Sequence, residues 1–355
     1  MKIIAIMLLV ASVPLVSQPR FKTDAATPPR GIERISATRM EDAFAKPESV
    51  VRLDLSRSTT SVPDNLASLP NLRELRLVGC KLESLPTSLQ ACTNLEVVDI
   101  SYNNFTEIPA VLSALPNLRE IHVSGNPIVT SGGFTGSRSV EVVYLDECSL
   151  TELPAFLGGC AELKEVYASR NSIRSVPSNL QGCTKLKKLI LARNAITTVP
   201  TWLESMPKLA VLDLSGNQIT SVPSGVFNAK SMTEINITAN RVTSLPSDLS
   251  STTLRILDAD SNLIESIPAS IGACTALERL SFVHNKLTTV PKEIGNCKAL
   301  ALLNVSANKI TSLPVAELAG LPALMCLQFA HEQPTHNPDG TVGETNEKPL
   351  RIKKP

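Results

Sequence analysis

Aromatic residues make up only 3% of the 355-residue chain, and tryptophan occurs once. An ordinary globular centre needs large side chains, so this scarcity points to many small, similar packing layers built from aliphatic residues. Charge of either sign is also scarce in excess: 34 Lys and Arg oppose 33 Asp and Glu, leaving a formal net charge of +1. Nucleic-acid binding draws on concentrated Lys and Arg that displace counterions, so it is set aside as a function. Cys-x-x-Cys, His-Glu-x-x-His, Gly-x-Ser-x-Gly and phosphate-loop motifs are missing. The histidines His122, His284, His331 and His336 lie far apart, except the last two, which share the C-terminal end. No catalytic, metal or cofactor site is expected, and the chain reads as a nonenzyme.

Long apolar runs are missing except at the start, where one lysine precedes IIAIMLLVASVPLV. Fourteen residues are short for a bilayer, and Pro14 would break a helix there. Residues 1–17 are read as a secretory signal peptide ending at Ser17, leaving a mature chain without an integral membrane segment. Residues 18–36, with Pro19, Pro28, Pro29 and Gly31, read as a linker. Met40, Ala43 and Phe44 then stand at helical spacing within residues 37–49, a helical cap for the open end of a stack. Residues 332–355 are polar, with prolines and glycines, and read as a disordered tail.

What the chain does have is a repeat spanning residues 50–331. Residues 186–200 read Leu-x-x-Leu-x-Leu-x-x-Asn-x-Ile-x-x-Val-Pro, and the first apolar slot returns at Val50, Leu72, Leu95, Leu118, Val140, Leu163, Leu186, Leu209, Met232, Leu254, Leu277, Leu300 and, in a partial copy, Leu324. Eight residues on stands Asn, as at Asn103, Asn126 and Asn194, replaced by Cys80, Cys148 and, in the first copy, Ser58. An amide both donates and accepts, so a buried Asn column can satisfy backbone groups where the chain leaves each strand. An apolar residue followed by Pro recurs from Pro86 to Pro314, suited to the start of a short helical turn.

This pattern resembles the leucine-rich repeat family over about residues 50–330. The Leu-Pro wording is similar to Ras-group and bacterial repeats, and residues 36–56 resemble the approach to the first strand in bacterial members. The resemblance implies an α/β right-handed solenoid, a horseshoe with a concave parallel β-sheet and short convex helical turns.

Five of the eight cysteines, Cys92, Cys160, Cys183, Cys274 and Cys297, stand three residues before a first apolar slot and behave as small core residues. Buried free thiols are expected, with Cys80–Cys92 and Cys148–Cys160 bridges left open. The sequons at Asn104, Asn236 and Asn304 leave their use open as well.

Positions two, four and six after each first slot face outward and are not dictated by the fold. The central column runs Arg76, Asp99, His122, Tyr144, Tyr167, Ile190, Asp213, Asn236, Asp258, Ser281 and Asn304. Around its two tyrosines cluster Asp146, Glu165, Arg170, Lys188 and Arg193, beside an irregular loop carrying Phe134. Aromatics ringed by charge suit a protein hot spot; a ladder that merely supports the sheet suits them equally. The expected function is a monomeric, exported, noncatalytic module that binds a protein partner. An intracellular Ras-group-like scaffold and a structural or adhesive surface protein are the alternatives.

Overall fold

The computed structural model describes residues 35–329. Fourteen strands form one parallel sheet in strict sequence order. They are β1 (Ile35–Ala37), β2 (Val50–Asp54), β3 (Glu74–Arg76), β4 (Val97–Asp99), β5 (Glu120–His122), β6 (Val142–Tyr144), β7 (Glu165–Tyr167), β8 (Lys188–Ile190), β9 (Val211–Asp213), β10 (Glu234–Asn236), β11 (Ile256–Asp258), β12 (Arg279–Ser281), β13 (Leu302–Asn304) and β14 (Cys326–Gln328). The architecture is a leucine-rich-repeat horseshoe, and its sheet is about 60 Å long at a strand spacing of about 4.8 Å. No helix among the described residues is long and apolar enough to cross a membrane.

Each rung buries the residues at its first, fourth and sixth slots, as with Leu72, Leu75 and Leu77 or Leu186, Leu189 and Leu191. Such side chains are worth roughly 1.5–3 kcal/mol each, and each rung stacks this apolar face only on its neighbours. On the convex side most rungs carry a five-residue 3₁₀ helix whose N-cap is the recurrent proline, as at 87–91 after Pro86. The proline carbonyl accepts the N–H of a buried Leu or Ile three residues on, as from Leu89 to Pro86 at 3.1 Å. Proline supplies a carbonyl and a fixed φ without needing an acceptor of its own. Pro63 is likewise the N-cap of residues 64–68, one copy earlier than the run of prolines singled out from the sequence.

The Asn column works by reaching back one rung. Asn103 Nδ2 donates to Leu77 O at 2.7 Å and to Ile100 O at 2.8 Å, while its Oδ1 accepts from Cys80 N and Leu82 N at 2.9 and 3.0 Å. Since three of these four partners lie in the preceding rung, the first rung of the repeat has less use for Asn. Ser58 there bonds only the Leu55 carbonyl, at 2.8 Å. Cys80 keeps part of the donor role, its thiol reaching Leu55 O at 3.3 Å, but offers no amide oxygen.

The residue just before this slot lies at positive φ in every rung from Arg57 to Ala307. Where it is glycine, the preceding rung's long side chain lies across it. A Cβ on Gly125 (φ +70°) would stand 2.4 Å from the Tyr102 ring, and one on Gly216 (φ +66°) 3.1 Å from Arg193 Cγ. Glycine there serves both the backbone angle and the space.

At the N-terminal end, β1 pairs in parallel with β2, so Ile35 and Ser36, read from sequence as the end of a linker, form strand instead. An unpaired β2 would leave its edge open, and the short strand covers it. Helix α1 (Met40–Ala45) follows, with Ala43 buried and Met40 and Phe44 packed against the core. The segments expected from sequence to be a signal peptide and a polar tail, and nearly all of the expected linker, fall outside the described residues.

Candidate binding face

Parallel pairing sets the outward residues in register: His122 opposes Tyr144, Tyr144 opposes Tyr167, and Tyr167 opposes Ile190. In-register stacking of equal slots is a consequence of near-equal rung lengths. The rings use it fully. His122 and Tyr144 stack with centroids 4.1 Å apart at 20°, and Tyr144 and Tyr167 at 4.6 Å and 7°. The three are only 9%, 8% and 6% exposed, so ring faces are spent on one another and the sheet presents edges and polar tips.

Acidic groups line this ladder. The Tyr167 hydroxyl donates to Glu165 Oε2 at 2.5 Å, and His122 Nε2 lies 3.3 Å from Glu120 Oε2. Burial pushes the Tyr144 phenol well above its ordinary range, and Glu120, Glu165 and Asp146 push it further. Tyr167 is raised in the same way, first by burial and then by its bond to Glu165. Both phenols therefore stay protonated, as donors rather than nucleophiles. Asp146 Oδ1 accepts Ser169 N at 2.7 Å, yet burial still raises its carboxyl.

The basic residues take other places. Lys188 Nζ reaches Glu165 at 3.4 Å on the sheet itself. Arg170 and Arg193 sit at positive-φ positions beyond the strand ends, where Arg170 pairs with Glu147 at 2.8 Å. Phe134 is not brought to the patch. It is buried and packs edge-on against Phe156 of the convex 155–159 helix, centroids 4.7 Å apart at 75°. Phe134 supplies there the apolar contact that Leu112 and Leu157 supply in the rungs beside it. Tyr102 was missed by a reading of strand slots alone. It is 52% exposed on the turn edge of the rung before His122, and its slot just ahead of Asn103 is the only sequence signal for that place.

All eight cysteines are free, and seven are buried. Burial raises the Cys148, Cys183 and Cys274 thiols to about 11 and Cys297 to about 12, so they remain neutral and unreactive near neutral pH. Among the described residues no group of three or more His, Cys, Asp or Glu side chains is placed to hold a metal ion.

A long parallel sheet, one short turn per rung and a buried Asn column define a leucine-rich-repeat solenoid. Family profiles agree: that for "Leucine rich repeat" matches residues 161–219, and that for "Leucine Rich repeats (2 copies)" matches residues 93–133. The chain is a leucine-rich repeat protein. Among solved structures it is similar to a leucine-rich repeat protein of Leptospira interrogans, at 29% identity and a TM-score of 0.76, covering 84% of this chain and 76% of that one. It is also similar to the plant peptide hormone receptor RGFR1 in complex with RGF2, at 26% identity and a TM-score of 0.65. That match covers 80% of this chain but only 48% of the receptor, so the chain spans about half its length. An internalin of Listeria monocytogenes shares the fold at 21% identity and a TM-score of 0.63, over 85% of this chain and 84% of that one. No curated protein sequence matches significantly.

Proposed function

We propose that this chain is an exported, noncatalytic module that docks a protein partner on its concave sheet, at and around the His122–Tyr144–Tyr167 ladder. The observation that carries the reading is the ladder itself, since the fold dictates the inward column and leaves the outward one open, yet three adjacent rungs place aromatic rings there. A rigid row of ring edges and polar tips, flanked by the half-buried Ile190 and by Glu165 and Lys188, offers orienting groups at low entropic cost. The plant receptor similar to this chain was solved with RGF2 bound, which supports a ligand-binding role for the scaffold. A sheet of this length leaves room for a standard interface of about 800 Å² per partner.

Substituting the buried tyrosines would disturb the sheet, so the test uses half-buried neighbours. Wild type and Lys188→Glu/Ile190→Glu are immobilised and used to capture binders from the native host. Loss of the wild-type partner by the variant, with an unchanged thermal midpoint, is the expected result; undiminished capture would remove the patch from consideration. Export is tested by sequencing the mature N-terminus, where an intact Met1 ends that part of the reading.

A further inference from the structure

The two ends of the solenoid are finished differently. At the N-terminal end β1 pairs with β2, α1 packs on the core, and the first-rung slots Val50 and Leu53 are fully buried. At the other end the sheet order stops at β14. The corresponding slots Leu324 and Leu327 are 8% and 6% exposed, whereas Leu300 and Leu303, one rung earlier, are at 0%. The two most exposed large apolar side chains among the described residues stand here as well. They are Met325, beside β14, at 82%, and Val315, on the convex helix Val315–Ala319 that leads into it, at 65%. A sheet that ends on an uncovered strand offers its backbone groups to any segment that fits.

The chain carries such a segment in its own continuation. The fourth slot steps by 23 residues from Leu280 to Leu303 and by 24 from there to Leu327, and 23 more reach Leu350. From the sixth slot, Phe329, the same step reaches Ile352. Residues 349–355 read Pro-Leu-Arg-Ile-Lys-Lys-Pro, so apolar and charged side chains alternate as in a strand with one buried face. Lysine and proline are also the residues that keep an outermost strand from pairing further. The first slot, Glu347, and the Asn slot, Glu332, depart from the repeat, so the match is to a strand without a complete rung. β1 is the precedent, three residues outside the repeat that pair with its first strand.

We propose that residues 349–353 of this chain dock on the open edge of β14 as a fifteenth parallel strand, with Leu350 and Ile352 covering Leu327 and Phe329. Twenty residues separate Gln328 from Pro349, against 21 between Asn304 and Cys326, so the crossover has the span of an ordinary rung. Proline at 349 suits the bonding pattern. At this point two successive N–H groups donate to one carbonyl of the rung before, as Met325 N and Cys326 N do to Ala301 O at 2.9 and 3.1 Å. Pro349 takes the place of Cys326 and gives up one bond of that pair, while Lys348 N keeps the other, to Met325 O.

Hydrogen exchange read by mass spectrometry on the full chain tests the docking. Leu350→Asp/Ile352→Asp breaks the inward face, and Arg351→Ser/Lys353→Ser alters only the outward one. In wild type the amides of β14 and of residues 350–353 should be protected. The inward variant should exchange at both about tenfold faster, with β12 unchanged, while the outward variant stays within about twofold of wild type. Both pairs lie outside the repeat, and unchanged exchange in β12 verifies that the solenoid is folded in each. Equal exchange at β14 in wild type and the inward variant overturns the proposal, as does fast exchange of residues 350–353 in wild type. Protection of β14 that disappears on dilution, with a dimer in sedimentation, also overturns it, since a second copy is then the occupant.

Discussion

The aromatic stretch of the concave sheet, β5–β8, and the polar stretch, β9–β13, share one backbone and one slot, yet satisfy that slot in opposite ways. In the polar stretch the side chain turns back on its own rung at three of the five slots, whereas Asp258 accepts Arg279 Nε at 2.8 Å and Ser281 Oγ donates to Asp260 Oδ1 at 2.6 Å, each across to the neighbouring rung. Asp213 Oδ1 accepts Ser215 N at 2.9 Å, Asn236 Oδ1 accepts Thr238 N at 3.0 Å, and Asn304 Oδ1 accepts Ser306 N at 3.1 Å. Such local bonds suit Asp and Asn, whose short side chains reach a backbone two residues on. His and Tyr cannot make them, and in the aromatic stretch the side chain turns sideways to the next rung, 4.1 and 4.6 Å away between ring centroids. Local satisfaction, as at Asp213 and Asn236, leaves rungs independent outside the core, whereas lateral satisfaction couples them.

The comparison breaks most readily at Tyr144, which has a ring on each side. Tyr144→Ala should destabilise by about 2–4 kcal/mol, because it removes two stacking contacts together with the burial of a large ring. Asn236→Ala, at the same slot, gives up one local bond and should cost about 0.5–1 kcal/mol. Urea titration with hydrogen exchange in β6 and β10 reads both. Equal costs would show that stacking is incidental.

Coupling itself is the next largest effect. A double-mutant cycle between Tyr144→Phe/Ala exchanges and Tyr167→Ala should give an interaction energy of about 0.5–1.5 kcal/mol. The corresponding Asp213→Ala and Asn236→Ala pair should add within about 0.5 kcal/mol although the residues oppose each other in adjacent strands. A coupled polar pair would mean that the rungs communicate through the core and not through the outward column.

How much of this was legible beforehand follows the same division. The repeat fixes which residues oppose one another, so the outward column read from spacing reappears in register from Arg76 to Asn304. Side-chain rotation is not periodic. That the tyrosine rings lie flat against each other, and are buried, depends on rotamers chosen between neighbouring rungs, which spacing does not encode. Phe134 was illegible for a related reason: its rung lacks the proline that marks the convex turn, so nothing in the sequence assigned it to the core. Strand β1 lay hidden in a proline-bearing stretch because three residues carry too little pattern to count.

If lateral stacking is what holds the aromatic stretch, its free end can be extended. Ile190 opposes Tyr167 at the border between the two regions. Ile190→Tyr should add a third stacked pair and stabilise by about 0.5–1 kcal/mol, detected as a raised urea midpoint and slower exchange in β8. A loss of stability would indicate that Ile190 ends the ladder because the sheet leaves no room for another ring.

The smallest effect lies in the polar stretch and depends on pH. Asp258 has its carboxyl raised by burial, with Asp260 and Asp213 adding to it against Arg279. The folded chain thus holds that proton more tightly than the unfolded chain, for which the ordinary value is about 3.9. The stabilising contribution is complete below the unfolded value and is lost as pH rises through the folded one. Asp258→Asn cannot ionise and keeps an amide oxygen in reach of Arg279, so its stability relative to wild type should improve from pH 3 to pH 7. A difference that stays flat or runs the other way would mean that the Arg279 bond outweighs burial, and the polar stretch would then be held laterally as well, erasing the distinction from the tyrosine ladder.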